Sequence, residues 1–404
     1  MSNVVYTPPV NFSWDAFQTV QRALFGAIEK KGYKNVVLDL SRLKKGYPNG
    51  FIPLITLCER YRKKDGVDFE FIWPEDDSLR RLLDNHNWIY YLSGSGNISD
   101  SFRSLSRFSD DDANLNDVID RKIKQLLGEV EFADGVAESF EWALSEIAGN
   151  VLSHAEMDHG WLQVDFHRTS RHLVVAVADG GRGIPNTIQK RFPERTRDVD
   201  ALEFALQEGV TSKPDFGQGK GLTGTLQIVS ANRQGFMAIH SQHATFEFKE
   251  NRPKYYDQSV PFPGTFVDIQ LDTTTAINIA EALWGKKPNN FSDLVYGRDT
   301  PAGVMRLVLS EEASRFSNRV TGKKIHTKIT NLLRVGSEDV LEIDFKGVEL
   351  IASSFADEVF GKLAVDMGIV YFATRIRFIG INNFCRRTID DVVQSRMIQH
   401  RQGL

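Results

Sequence analysis

Glu141-Trp142-Ala143-Leu144-Ser145-Glu146-Ile147-Ala148-Gly149-Asn150-Val151-Leu152-Ser153-His154 is the stretch on which the fold turns. Leu144, Ile147, Ala148, Val151 and Leu152 recur at helical spacing, so the segment predicts a helix with one apolar stripe. Glu146 and Asn150, four positions apart, project side by side from it. That pairing suits metal-phosphate chemistry. An amide oxygen is a hard, neutral ligand for Mg2+ that leaves room for waters and phosphate oxygens. A carboxylate one turn earlier can orient or deprotonate an attacking water or hydroxyl. Taken alone, the two residues read better as the solvated face of a surface helix, so the neighbouring segments decide.

Downstream, Leu173-Val174-Val175-Ala176-Val177-Ala178 is a buried-type strand closing at Asp179, and Asp179-Gly180-Gly181-Arg182-Gly183-Ile184-Pro185 follows as a turn. Gly181 and Gly183 let the backbone approach a flat ligand. A carboxylate at the strand end accepts a hydrogen bond from an exocyclic amine such as that of adenine; a tight turn with a solvated Asp is the plainer alternative. Thr211-Ser212-Lys213 and then Phe216-Gly217-Gln218-Gly219-Lys220-Gly221-Leu222-Thr223-Gly224 precede an apolar run to Val229. Gly217, Gly219 and Gly221 there suit a phosphate loop opening a helix, whose free amides favour an anion, with Lys213 or Lys220 adding charge. A flexible glycine hinge is the alternative. The loop is neither a Walker motif, since Gly221 follows Lys220, nor part of a short strand-helix-strand dinucleotide unit. Pro263 to Leu271 reads as a Gly-Thr turn entering a strand, with Thr265 in reach of a base or a water beside Asp179.

These elements, in this order, resemble the GHKL ATP-binding fold shared by gyrase, ninety-kilodalton chaperones, histidine kinases and MutL. The resemblance covers residues 129–273 and implies ATP and Mg2+ as ligands. It assigns Mg2+ to Asn150, the general base to Glu146 and adenine recognition to Asp179, with Gly181 and Gly183 shaping the pocket and Gly217, Gly219 and Gly221 forming the lid. Gly149 stands where gyrase-type members carry Asp, and Glu-x-x-x-Asn-x-x-x-His with His154 is closer to anti-sigma-factor serine kinases and histidine kinases. His154 reads as a core or capping residue rather than a catalytic one.

The flanks have an α/β rhythm. Strands at Val36–Leu40 and Phe69–Trp73 alternate with helices at Phe51–Tyr61 and from a Ser78 cap to Asn87, which predicts parallel pairing. Strands at Val340–Phe345 and Ile376–Gly380 alternate with helices at Phe355–Met367 and Phe384–Ser395. Asp39 and Asp344 close equivalent strands, the pattern of a diverged internal duplication. Ser93 to Asn116, rich in Ser and Asp, reads as linker, Ile119–Leu127 as a helix, and Lys286 to Asn290 as a turn. The C-terminal region resembles STAS-like domains, the anti-sigma-factor antagonists. That resemblance rests on Asp344, the loop Ile351-Ala352-Ser353-Ser354 and the helix after it. It makes Ser353 or Ser354 a candidate phosphoacceptor, although Phe355 replaces the usual Gly and a plain Ser cap is the simpler reading. The N-terminal counterpart has Pro48-Asn49 and no hydroxyl. The expected organisation is a multidomain α/β protein. A degenerate STAS-like domain spans 1–95 and a linker with a helix 96–128; a GHKL sandwich with a mixed sheet covered by helices spans 129–273, a linker 274–302 and a STAS-like domain 303–404.

Composition bounds the rest. A chain of 404 residues, 41% apolar and 25% charged, is that of a soluble globular protein. Net charge −4 lacks the basic footprint of nonspecific nucleic-acid binding. Cys58 and Cys385 build neither a disulfide framework nor a zinc site, which fits a cytoplasmic setting. No signal peptide and no apolar run long enough for a membrane is present. The expected activity is a regulatory ATPase switching protein contacts of STAS-like domains, or else a protein serine kinase acting on such a domain. Residues 96–140 contain no His, which disfavours a sensor histidine kinase. Expected partners are other proteins, including STAS-domain regulators, with a homodimer open.

Overall fold

The computed structural model describes residues 4–6, 10–109, 112–207, 221–283, 304–336 and 339–401, and the chain divides into two compact units. The first comprises residues 1–122 and 143–272; the second comprises 123–142 and 273–404.

In the first unit, strands β1 (Val4–Tyr6), β3 (Asn35–Asp39) and β5 (Asp68–Ile72) pair in parallel in that order, and a small parallel pair joins β2 (Asn11–Phe12) to β4 (Lys45–Gly46). Helices α1 (Trp14–Phe25), α2 (Pro48–Asp65), α3 (Asp77–Asn85) and α4 (Trp88–Ser93) connect and cover them. The predicted parallel pairing is found. The cap of α3 is Asp76, not Ser78: its side chain accepts from Leu79 N at 2.7 Å, and an ionised carboxylate is favoured where helix amides are unsatisfied.

The central sheet runs β6 (Ser106–Ser109), β7 (His159–His167), β8 (His172–Asp179), β10 (Arg252–Asp272), β9 (Phe236–Lys249). Every pairing in it is antiparallel, so the expected mixed sheet is corrected. The supposed linker supplies its edge strand β6, because Leu105 and Phe108 are wholly buried among the Ser and Asp residues around them. Pro263 to Leu271 is not a turn entering a strand. It lies inside β10, where register shifts around Phe262 and Gly264, at φ +97, take up the irregularity. Helices α5 (Asp112–Leu127), α6 (Val136–His154), α7 (Ile184–Arg191), α8 (Asp198–Ala205) and α9 (Gly221–Ala231) complete this region; the division between units falls inside α5 and α6.

Strand residues alternate between faces, and the two faces of this sheet have different work. On one, Trp161, Ala176, Ala178, Phe262 and Phe266 join a single core with Phe12, Phe17, Phe51, Leu54 and Trp88 of the N-terminal layer. A polar row on the same face is matched from that layer and from the segment leading into β6. Trp88 Nε1 donates to Gln163 Oε1 at 2.8 Å, Arg103 Nη1 to Asp165 Oδ1 at 3.0 Å and Asn49 Nδ2 to Asp268 Oδ2 at 3.2 Å. This packing explains two sequence features. Phe51 to Cys58 of α2 are buried all round, as an apolar run without amphipathic rhythm requires. β8 is continuously apolar because neither face meets water. Asp179 and its β10 partner Thr265 belong to the opposite face, where the candidate site lies.

In the second unit β11 (Val304–Val308), β12 (Val340–Asp344) and β13 (Ile376–Ile379) pair in parallel in that order. They alternate with helix Arg319–Val335, capped by Asn318, and a helical stretch Ser353–Met367 with a π-helical middle; helix Asn383–Arg401 follows. Asn331 fixes residues 123–142 to this unit: its Nδ2 donates to Leu127 O and Val130 O, both at 2.7 Å, and its Oδ1 accepts from Phe132 N at 3.1 Å. The two α/β layers agree in detail. Asp39 Oδ1 accepts from Ser41 N at 2.9 Å and Asp344 Oδ1 from Lys346 N at 2.8 Å. Leu40 N donates to Ile72 O and Phe345 N to Ile379 O. In each layer the next helix begins nine positions after that Asp, at Pro48 and at Ser353. The expected turn at Lys286–Asn290 lies outside the described residues. Among the described residues no helix is long and apolar enough to cross a membrane.

Candidate functional site

Helix α6 carries Glu146 and Asn150 on a half-buried face, with Leu144, Ile147, Ala148 and Val151 buried on the other. The start of α9 closes on that pair. A Cβ at Gly221 would stand 2.6 Å from Glu146 Oε2 and 3.5 Å from Asn150 Nδ2, so only glycine lets the helix begin here without moving the carboxylate. Burial raises the Glu146 carboxyl above the ordinary Glu range. Asn150 Nδ2 is buried with no hydrogen-bond partner among the described residues. A buried amide left without a partner is costly, and the start of α9 lies beside it. Gly149 has open space around its Cα, so the departure from an Asp at that position removes a side chain without filling the gap.

One turn past Asn150, α6 ends and Ala155 becomes the wall of the second half of the site. Its carbonyl accepts from Arg182 N at 2.9 Å, and a Cβ at Gly181 would lie 2.1 Å from that oxygen. Asp179 closes β8 almost fully buried, with Oδ1 accepting from Gly181 N at 2.8 Å. Burial pushes its carboxyl up to about 7, against the lowering effect of backbone hydrogen bonds from Gly181 and Thr265. Gly264 passes directly over this turn: a Cβ there would meet Asp179 O at 2.0 Å. Gly183, at φ +82, would bring a Cβ to 2.8 Å from Ser241 Oγ. Ser241 ties the ends together, accepting from Ile184 N at 2.9 Å, donating to Gly264 O at 2.7 Å and standing 3.2 Å from Thr265 Oγ1.

The structure therefore brings Glu146, Asn150 and Gly221 into one group and Asp179, Gly181, Gly183 and Thr265 into another, the first on α6 and the second against Ala155 just past its end. Lys213, Gly217, Gly219 and Lys220 lie outside the described residues, as does the side chain of His154. Ser353 and Ser354 belong to the second unit, where Ser353 is exposed at a helix start and Ser354 half-buried. Ala155, Ser241 and Gly264 were not singled out by sequence; Gly264 alone gave a signal, as the glycine before Thr265. The residues fit a metal-bound nucleotide. The one amide oxygen of Asn150 makes too few ligands for a cation alone and leaves positions for phosphate oxygens and waters. Among the described residues no group of three or more His, Cys, Asp or Glu could hold a metal by itself.

Comparison with known proteins gives two family matches. Residues 135–274 match the histidine kinase-, DNA gyrase B- and HSP90-like ATPase family, and residues 321–383 a STAS-like domain of unknown function (DUF4325). One similar solved structure is a topoisomerase IV ATP-binding domain of Francisella tularensis in complex with a small-molecule inhibitor. It is 13% identical, with 47% of this chain and 46% of that chain covered and a TM-score of 0.23. The match thus spans under half the length of that protein. No curated protein matches the chain.

Proposed function

We propose that this chain, which carries a GHKL ATPase domain together with a STAS-like domain, is a Mg-ATP-dependent regulatory protein in which nucleotide binding and hydrolysis switch the protein contacts of STAS-like layers. The observation that carries the reading is the closure of Gly221 on the Glu146–Asn150 pair, where a buried amide lacks a partner among the described residues. Asn150 would hold Mg2+, which supplies charge neutralisation along the phosphates when bound. The first-turn amides of α9 would donate to phosphate oxygens. Glu146, kept basic by burial, would take a proton from an attacking water. Asp179, on its two backbone donors, would accept from the exocyclic amine of adenine, and Gly181, Gly183 and Gly264 let the turn pack closely enough on Ala155, Ser241 and β10 to fix that carboxylate. The agreement of strand order and Asp-closed turns between the two α/β layers supports a STAS-like reading of the N-terminal layer as well.

A second reading is a serine kinase of the anti-sigma-factor type, favoured by the exposed Ser353 at the start of its helix. Incubation with γ-labelled ATP separates the two. Release of phosphate supports the ATPase; label kept on protein and lost in Ser353→Ala/Ser354→Ala supports the kinase. For either, Mg-ATP should raise the melting temperature of the chain, and Asn150→Ala should abolish that shift. Glu146→Gln should keep the shift while lowering turnover by about a hundredfold or more. Absence of any shift in the wild-type chain sinks the nucleotide reading.

A further inference from the structure

We infer that Arg60, outside the matched ATPase segment, is a positioning residue for base recognition: it holds the Gly180–Gly181 peptide from the outer face of the sheet and so sets the Asp179 carboxylate. This rests on the nucleotide reading above and adds a residue and a layer to it.

Arg60 Nη1 donates to Gly180 O at 3.0 Å. Gly181 N donates to Asp179 Oδ1 at 2.8 Å. That oxygen and that nitrogen belong to one peptide unit, which is planar and trans, so they point in opposite directions. The unit is thus gripped at both ends, by an N-terminal guanidinium on one side and by the base-reading carboxylate on the other. Glycines flank it on both sides, and no Cβ restricts its rotation. Without Arg60 the plane is free to turn, and the amide leaves Asp179. The carboxylate then keeps only its backbone donor from Thr265 and loses its fixed orientation.

Arg60 is itself held. It follows the wholly buried run Phe51 to Cys58 of α2, which packs with Ala176 and Ala178 of β8 in one core. Thr56 Cγ2 would lie 3.6 Å from a Cβ at Gly180, so the same helix backs the turn along two successive turns of its length. The neighbouring Glu59 Oε2 meets His159 Nε2 of β7 at 2.9 Å, fixing the helix against the sheet beside it. A displacement of α2 therefore reaches the nucleotide turn through the Arg60–Gly180 hydrogen bond.

The test measures affinity of the full chain for Mg-ATP and for Mg-inosine triphosphate, which carries a carbonyl in place of the exocyclic amine. Arg60→Met keeps the apolar stem and removes the donors, Arg60→Lys restores one donor, and Lys64→Ala, exposed on the same helix, is the control. Arg60→Met should lose about tenfold in ATP affinity and most of the preference for ATP over inosine triphosphate, with melting temperature near wild type. Arg60→Lys should recover much of both, and Lys64→Ala should change neither. Unchanged affinity and preference in Arg60→Met overturns the assignment, as does an equal loss for both nucleotides, which marks general loosening. If the wild-type chain binds neither nucleotide, the nucleotide reading itself fails, a result distinct from these.

Discussion

At the scale of the residue, Asp179 is the group in the candidate site most at odds with its surroundings. Its carboxyl is pushed up to about 7 by burial, so ionisation is opposed in the folded chain and not in the unfolded one. The sign follows directly: a raised acid favours folding fully below its unfolded value, near 3.8, and that contribution is lost as pH rises through about 7. Asp179→Asn should therefore melt higher than wild type at about pH 8, with the gap narrowing below about pH 6, and scanning calorimetry without nucleotide reads this. The proposed nucleotide recognition runs the other way. On that reading the adenine amine meets the ionised acceptor, so wild-type affinity should weaken as pH falls through about 7, and Asp179→Asn should be weak at every pH. The strand end and the glycines around Asp179 were legible in sequence, because strand, acid and turn are contiguous. Arg60, Ser241 and Ala155 were not: each reaches the turn across the sheet or from a helix end, and no local pattern records such a contact.

At the scale of the element, α9 begins where a side chain would strike Glu146. The contact is with the far end of a flexible carboxylate, and alanine favours helix over glycine by up to about 1 kcal/mol. Gly221→Ala should leave the melting temperature unchanged or slightly raised while lowering ATP turnover about tenfold or more, since Glu146 must swing away from Asn150. A melting temperature that drops together with activity would argue that Gly221 serves packing alone. Element recognition from sequence followed burial geometry. α6 kept a clear stripe and was found; Val36–Leu40 and Ile376–Gly380 were found within a residue of β3 and β13. β7 and β9 were not named, because residues such as Gln163 and His240 break the apolar pattern yet are buried against Trp88 and Trp14 of the N-terminal layer. β6 hid in a Ser- and Asp-rich stretch whose scattered apolar residues are too few to show a period.

At the scale of the molecule, the family match at 135–274 is narrower than what holds that domain together. The edge strand β6 precedes it, and Trp161, Ala176, Ala178 and Phe266 are buried only with the help of residues 12–92. A fragment spanning 135–274 should therefore aggregate or unfold without cooperativity, whereas the whole chain should show cooperative melting; circular dichroism on both decides it. A well-folded fragment would show the N-terminal layer to be an accessory rather than half of the core.

That shared core also sets a schedule for synthesis. Phe51 to Cys58 leave the ribosome long before β7 to β10, the strands that cover them, have been made. At ordinary elongation rates, the interval between the end of α2 and the end of β10 is roughly ten to forty seconds. Through that window an all-round apolar helix waits without its second wall, exposed to whatever else in the cell binds greasy surfaces. Nascent-chain yield, more than the melting point of the finished protein, is where changes in α2 would first be felt.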